Sequence, residues 1–138
     1  MIGGRQSKRP KYGNTKVEYQ GIKFDSRRER DRYIVLKDAE NKGIISDLQV
    51  QVKYELIPAV KQTYIKHLKT KEKEVTVTLQ RPITYTCDFK YVKDKEEVVE
   101  DVKISEFLLP KEFVLKEKMM FALKGIRIKK VYKPSELV

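Results

Sequence analysis

Two neighbouring stretches decide the fold of this chain: TCDFKY at residues 86–91 and VVEDVK at residues 98–103. Both are rich in β-branched and aromatic residues, which is typical of β-strands. A turn centred on Asp94-Lys95 would pair them as a hairpin and place Asp88 opposite Asp101. Lys103 would share their face of the sheet, two residues beyond Asp101. Because opposed like charges destabilise a hairpin, this pattern predicts a compensating divalent metal ion.

The overall charge indicates a polyanionic partner. The chain has 138 residues and a net charge of +11, with 31 lysines and arginines against 20 acidic residues. Nucleic acid is the leading partner, and an anionic membrane surface is the alternative. No apolar run approaches the roughly 20 residues of a membrane span, and the N-terminus lacks the apolar core of a signal peptide.

The chain has only one cysteine and one histidine, which limits the kinds of metal and catalytic site that it can form. A single cysteine, Cys87, excludes an internal disulfide and fits a reducing cytoplasm. A single histidine, His67, argues against a zinc site or a catalytic triad built on histidine. Carboxylate chemistry with a hard metal ion such as Mg²⁺ remains open, and Mn²⁺ is expected to substitute for it.

The hydrophobic periodicity predicts one α/β domain over residues 21–138, preceded by a basic flexible arm over residues 1–20. Along strand 44–57, the alternating apolar residues are expected to share one face. Residues 60–80 are lysine-rich and are predicted to form a basic β-hairpin insertion. The expected elements, in chain order, are a helix from Asp25 or Ser26 to about residue 42, a strand over 44–57, the insertion, strands over 83–92 and 96–104, a helix over 111–124 and a last short strand before Pro134.

The facing carboxylates suit phosphodiester hydrolysis. Asp88 and Asp101 can hold Mg²⁺ and leave coordination positions for water and phosphate oxygens. Lys103 can help to deprotonate the water and can stabilise negative charge in the transition state. The backbone carbonyl of Val102 is a further candidate metal ligand if that strand edge is exposed.

These residues resemble a known family. Glu29 on the first helix, Asp88, and the Asp101-Val102-Lys103 run together are similar to the PD-(D/E)XK nuclease superfamily, in particular to small phage- and prophage-encoded members, some of them grouped with resolvases. The resemblance covers about residues 20–132. It implies a restriction-endonuclease-like core, with a mixed central sheet flanked by helices. It also implies that Asp88 and Asp101 bind metal, that Lys103 serves catalysis, that Glu29 completes the metal site, and that Gln51 lies nearby.

Several of these residues have simpler explanations. Glu29 stands three residues after Ser26, so it can be a capping-box residue with no metal to bind. Glu100 and Cys87 are expected to face away from the site, as an ion-pair partner and a core residue. The candidate DNA contacts, which can also be ordinary solvated residues, are Arg27, Arg28, Lys66, Lys69, Lys111 and Lys116.

The sequence therefore predicts a metal-dependent DNA endonuclease, and the resemblance implies a phage origin. A homodimer is expected, acting on DNA in the host cytoplasm, with branched recombination intermediates such as Holliday junctions as candidate substrates by family analogy. Neither a membrane partner nor a small-molecule cofactor is expected. The alternative is a nucleic-acid-binding module on a nuclease-like scaffold, with weak catalysis or none.

Overall fold

The structure is a computed structural model that describes residues 15–138. Within that range, no helix is both long and apolar enough to cross a membrane. The regular elements, in chain order, are β1 (Val17–Tyr19), β2 (Ile22–Phe24), α1 (Arg27–Asn41), β3 (Ser46–Ile57), β4 (Val60–His67), β5 (Glu72–Gln80), β6 (Ile83–Lys93), β7 (Glu96–Val102), a 3₁₀ turn (Glu106–Leu108), α2 (Lys111–Lys124) and β8 (Ile128–Val131).

The central sheet has four strands in the order β3-β6-β7-β8. The first two pairings are antiparallel, and β7 pairs with β8 in parallel. Strands β1 and β2 form a small separate hairpin, and β4 and β5 form another. The predicted α/β arrangement with a mixed sheet is confirmed, and so is the hairpin within residues 60–80.

The predicted register of the β6–β7 hairpin is confirmed. Phe89 pairs with Glu100, and Lys93 pairs with Glu96 next to the turn. Asp94 and Lys95 have φ angles of 51° and 67°. Two consecutive left-handed residues are typical of the tight turn whose twist matches that of the flanking strands. The same register, continued by one residue, sets Asp88 opposite Asp101.

Helix α1 begins and ends where its sequence signals predict. The Ser26 hydroxyl accepts a hydrogen bond from the backbone N–H of Glu29 at 3.2 Å, which caps the first turn. The chain leaves the helix at Gly43, whose φ of +75° is in the left-handed region that glycine adopts without strain.

The two long helices pack on opposite faces of the central sheet. Val98 and Val102 belong to the core cluster around α1, whereas Val99, between them in β7, belongs to the cluster that contains α2 residues. Successive residues of a strand point to opposite faces, so these memberships place one helix on each side.

Strand β3 does not keep its apolar residues on one face, so that prediction is wrong. Leu48 and Val50 pack with the α1 cluster, whereas Val52, Tyr54 and Leu56 pack with the α2 cluster. The change falls at Gln51, whose φ is 55°. A left-handed residue interrupts the regular pleat of the strand. Every second residue is apolar from Leu48 to Leu56, but those before Gln51 face α1 and those after it face α2.

Strand β6 changes faces at the matching position. Phe89 and Tyr91 pack with the α1 cluster, whereas Tyr85 and Cys87 pack with the α2 cluster. The residue between the two sets is Asp88. Its neighbours in β6 pair with Val50 and Val52 of β3, which flank Gln51. The irregularity therefore lies at the centre of the sheet, beside a predicted metal ligand.

Residues 17–19, at the end of the predicted arm, form a β-strand. Strand β1 pairs with β2 through a turn at Gln20 and Gly21, both with positive φ. The ring of Tyr19 packs edge-on against that of Tyr33 in α1, with centroids 6.2 Å apart. This aromatic contact is why residues 17–19 belong to the domain. The rest of the predicted arm, over residues 1–14, lies outside the described residues.

Candidate active site

One pocket of about 440 Å³ contains the residues singled out from the sequence. Glu29 enters from the first turn of α1, Asp88 from β6, and Asp101 from β7. Lys103 follows directly after β7 and lines the same pocket. The sheet supplies the two aspartates on paired strands, and α1 supplies the third carboxylate across the opening.

Asp101 is buried and held from two sides. Its Oδ1 lies 3.0 Å from the Nζ atom of Lys103, and its Oδ2 accepts a hydrogen bond from the hydroxyl of Tyr85. Burial and the neighbouring Asp101 carboxylate raise the pKa of the Tyr85 hydroxyl, so this tyrosine is a neutral donor at ordinary pH. These two contacts fix the orientation of the carboxylate.

The contact between Tyr85 and Asp101 is not predicted by the sequence pattern. The register alone would not have revealed this contact. It depends on the face change at Asp88, which turns Tyr85 toward the α2 side of the sheet, where Asp101 also points. No signal in the sequence marks that change except the polar residues Gln51 and Asp88 within two otherwise alternating strands.

Lys103 is positioned by an aromatic ring as well as by Asp101. Its Nζ atom lies over the ring of Phe113, 4.0 Å from the centroid. A cation over an aromatic face is stabilised by the quadrupole of the ring, which compensates for part of the lost hydration. Phe113 lies in the first turn of α2, so the position of that helix places the aromatic ring next to the Lys103 ammonium group.

Asp88 carries the most perturbed carboxyl group of the pocket. Burial, followed by the charges of Asp101 and Glu29, raises its pKa to about 9. One of its oxygens, Oδ2, accepts a hydrogen bond from the backbone N–H of Val102 at 2.8 Å, which favours the ionised form but does not outweigh the burial. Without a further cation, Asp88 is therefore protonated at neutral pH.

The carboxyl group of Glu29, on the other side of the pocket, is also affected by burial and by neighbouring negative charges. Burial and the nearby Asp25 carboxylate raise its pKa, and Asp101 adds to the rise. Asp25, considered in the sequence only as a possible helix cap, also lines the pocket. Asp25, Glu29, Asp88 and Asp101 thus lie close together in the opening, and the pKa values of Glu29 and Asp88 are raised by burial and by the neighbouring negative charges.

The donor set fits a Mg²⁺ ion held by two carboxylates. Among residues 15–138, no three histidine, cysteine, aspartate or glutamate side chains are grouped so that they could hold a metal ion together. Glu29 therefore lines the pocket without joining Asp88 and Asp101 in such a group. Mg²⁺ commonly binds proteins through one or two carboxylates and completes its shell with water and substrate phosphates, and Asp88 and Asp101 are carboxylates of this kind.

Val102, the fourth predicted ligand, lines the pocket from the backbone. Strand β7 is an inner strand rather than an exposed edge, because β6 and β8 flank it. However, the last recorded pair with β6 is Phe89 with Glu100, so Val102 lies beyond the ladder. Its N–H points to Asp88, and the carbonyl of a strand residue lies on the same side as its N–H. The Val102 carbonyl is thus directed toward β6, the strand that carries Asp88.

The predicted DNA contacts fall into two groups. Lys116 lines the pocket and forms an ion pair with Glu112 at 2.8 Å. Arg28 donates a hydrogen bond to the backbone carbonyl of Tyr132 at 2.5 Å, so part of its guanidinium is used within the fold. The others are exposed: Arg27 and Lys111 at the starts of the two helices, and Lys66 and Lys69 on the insertion.

Three other residues considered in the sequence do not line the pocket. Gln51 donates a hydrogen bond to the backbone carbonyl of Lys23 at 3.0 Å and does not line the pocket. Cys87 is fully buried, and burial raises the pKa of its thiol to about 11, as expected of an unreactive core cysteine. Glu100 is fully buried on the α1 side of the sheet, paired with Arg32, as predicted.

The raised pKa of Asp88 makes a prediction about stability. A carboxyl group whose pKa rises on folding stabilises the protein most below its unfolded value near 3.8, and this contribution is lost as the pH rises toward 9. We therefore expect Asp88→Asn to raise the melting temperature of the metal-free protein, by about 3–5 °C for each kcal/mol gained. The gain should be larger at pH 9 than at pH 5, measured by thermal denaturation in EDTA.

The control for this prediction is Asp38→Asn. Asp38 is an exposed residue of α1 whose ion-pair partner among residues 15–138 is Lys42, so its amide variant should shift the melting temperature little at either pH. An Asp88→Asn shift that is zero, or equal at both pH values, would contradict the crowded carboxylate pocket.

Comparison with known proteins places the chain in one family. No curated protein and no solved structure matches it. A family model matches residues 9–135, which is nearly the whole chain. The chain therefore belongs to the family described as a protein of unknown function, DUF1064.

Proposed function

We propose that this protein is a metal-dependent endonuclease that hydrolyses phosphodiester bonds in DNA. The observation that carries the proposal is the crowding of Asp88 and Asp101 in one pocket, with the pKa of Asp88 raised to about 9 and Lys103 beside them. Such an arrangement costs stability and is typical of a functional site. A divalent cation between the carboxylates would compensate for their repulsion.

The charge around the pocket favours a phosphate substrate. The chain as a whole has a net charge of +11, and Lys103 and Lys116 bring two ammonium groups into a pocket that otherwise gathers carboxylates. A substrate with one negative charge per phosphate is attracted by the whole molecule and can join a metal ion held by Asp88 and Asp101. A small neutral substrate would use neither feature.

The residues of the pocket divide the work of hydrolysis. Asp88 and Asp101 would hold the divalent ion, which when bound supplies positive charge to the phosphate and polarises its oxygens. Lys103 donates hydrogen bonds toward the attacking water or the phosphate and stabilises charge in the transition state. The hydrogen bond from Tyr85 keeps the Asp101 carboxylate oriented, and the ring of Phe113 stabilises the Lys103 ammonium group by a cation–π contact.

The resemblance to small phage-encoded nucleases of the PD-(D/E)XK superfamily supports the same reaction and adds two expectations. The first is a homodimer, so that two sites can act on two strands. The second is a preference for branched DNA, which rests on family analogy alone. The alternative function is a nucleic-acid-binding module in which the pocket carboxylates serve no catalysis.

The proposal is tested with purified protein on labelled linear duplex, flap and four-way junction. Mg²⁺ or Mn²⁺ should support cutting and EDTA should abolish it, while binding in EDTA persists. The substrate cut fastest distinguishes a resolvase from a general endonuclease. Binding without cutting under every metal would overturn the nuclease and favour the binding module.

A further inference from the structure

The hairpin formed by β4 and β5 is exposed along almost its whole length. Every residue of β4 is exposed, and in β5 only Val75 is even partly buried. An isolated two-stranded hairpin is at best marginally stable in water, because it has no core on which to pack. A hairpin of this length without its own core suggests a surface that acts in binding.

The two faces of this hairpin differ in chemistry. On one face the register pairs Lys66 with Lys73, Tyr64 with Val75, and Gln62 with Val77. Residues opposed in this way lie on one face with Cβ atoms about 4.5–5.5 Å apart, and opposed like charges are destabilising. Within the part of the chain that the structure describes, neither Lys66 nor Lys73 forms an ion pair. This acid-free side, defined by these six residues, is called the lysine face.

The opposite face satisfies its own polar groups. Thr63 and Thr76 share a hydrogen bond of 2.9 Å between their hydroxyl oxygens. Nδ1 of His67 lies 3.1 Å from a carboxylate oxygen of Glu72. Glu72 and Glu74, the acidic residues of the two strands, lie on this face together with Lys61, so the lysine face is the more favourable of the two for an anion.

The hairpin begins at the edge of the candidate active site. β3 ends at Ile57, which pairs with Ile83 at the start of β6. The next three residues, 84–86, line the pocket that contains Asp88. Strands of eight and nine residues, at about 3.3 Å per residue, reach about 26 Å from that root. This length matches about eight base pairs of duplex at 3.4 Å each.

We propose that this hairpin is a ribbon that lies along duplex DNA beside the cut, with Lys66 and Lys73 on phosphates of that flank. The inference rests on the proposed function, since it places the duplex by the position of the active site. The major groove of B-form DNA, about 12 Å wide, admits a two-stranded ribbon. Tyr64 and the two valines of the lysine face would then turn toward the base edges, where apolar contacts with thymine methyl groups are made. The substrate class is therefore DNA with a double-stranded arm of at least about eight base pairs next to the scissile phosphate.

A second copy of the chain fits the lysine face less well. In a two-fold symmetric dimer the same patch contributes from both subunits. The acid-free lysine face would then meet another acid-free lysine face, which leaves four ammonium groups without counter-charges. Duplex DNA supplies negative charge for Lys66 and Lys73, and it is long enough to follow the ribbon from its root to this lysine pair.

The test compares Lys66→Gln/Lys73→Gln with Lys93→Gln/Lys95→Gln. The second pair removes the same charge at the β6–β7 turn, the opposite end of β6 from the hairpin. Binding to a 30-base-pair duplex is measured by fluorescence anisotropy in EDTA over a series of salt concentrations. The hairpin variant should bind on the order of tenfold or more weakly at 0.1 M salt, and its log–log salt slope should be smaller by about 2. The control should keep the wild-type slope.

Duplex length and oligomeric state complete the test. The difference between wild type and the hairpin variant should disappear on duplexes too short to offer a flank of about eight base pairs. An unchanged salt slope, or a hairpin variant that changes the oligomeric state in sedimentation, would overturn the ribbon. Because binding in EDTA needs no cleavage, the two proposals fail separately. If only the nuclease proposal is wrong, no DNA is cut but the Lys66→Gln/Lys73→Gln variant still binds more weakly. If only the ribbon proposal is wrong, DNA is cut and this variant binds like the wild type.

Discussion

Asp101→Asn is expected to lower the rate of DNA cleavage about a thousandfold or more, equivalent to about 4 kcal/mol of transition-state stabilisation. The amide keeps the size of the side chain and can still accept a hydrogen bond from Tyr85. It loses the charge that would hold the divalent ion and that pairs with Lys103 at 3.0 Å. The measurement is single-turnover cleavage of a labelled substrate at saturating Mg²⁺.

The matched control is Glu97→Gln on the same strand. Glu97 is exposed and pairs with Lys90 at 3.1 Å, far from the pocket, so its amide variant should cut like the wild type. DNA binding in EDTA should survive in both variants and can even tighten in Asp101→Asn, since a buried negative charge is removed. Cleavage that continues at the wild-type rate in Asp101→Asn would show that the activity does not come from this pocket.

Arg32→Met is expected to destabilise the fold by about 3–5 kcal/mol. Arg32 is fully buried, and its guanidinium binds both carboxylate oxygens of Glu100, at 2.7 and 2.9 Å. It also donates to the backbone carbonyls of Pro134 and Glu136, which fastens the end of the chain to the sheet. Removing the cation leaves the buried Glu100 carboxylate without its main partner. Urea denaturation followed by circular dichroism measures the loss.

Arg30→Met is the control for that loss. Arg30 lies on the same helix but pairs with its neighbour Asp31 at the surface, so its removal should cost no more than about 1 kcal/mol. The double variant Arg32→Met/Glu100→Gln should recover part of the stability, because no uncompensated charge remains in the core. An Arg32→Met protein as stable as Arg30→Met would mean that the buried pair contributes little to the fold.

Neighbouring residues of β7 thus have different roles. Asp101 points into the pocket on the α2 side, and Glu100 points to Arg32 and Tyr91 on the α1 side. The alternation of a strand is enough to separate the two acids, and the sequence predicted this division correctly. It depends only on the local geometry of the backbone.

The two aspartates of the candidate site were predicted from the sequence, but the residues that orient the site were not. Tyr85 and Phe113 orient Asp101 and Lys103, yet neither residue type signals a site in the sequence. The contact of Lys103 depends on how α2 packs against the sheet, and the contact of Tyr85 depends on the face change at Asp88. The proximity of Asp25 and Glu29 to the two aspartates likewise arises from the way the start of α1 packs beside the sheet.

The sequence by itself determined the features that depend on short-range geometry. Turn residues set the register of the β6–β7 hairpin, Ser26 and Gly43 set the limits of α1, and the alternation of β7 separated Asp101 from Glu100. Only the tertiary structure decided which helix each half of β3 and β6 faces. A left-handed residue such as Gln51 is stable in a strand only when both halves of the strand find packing partners, and local sequence does not encode those partners.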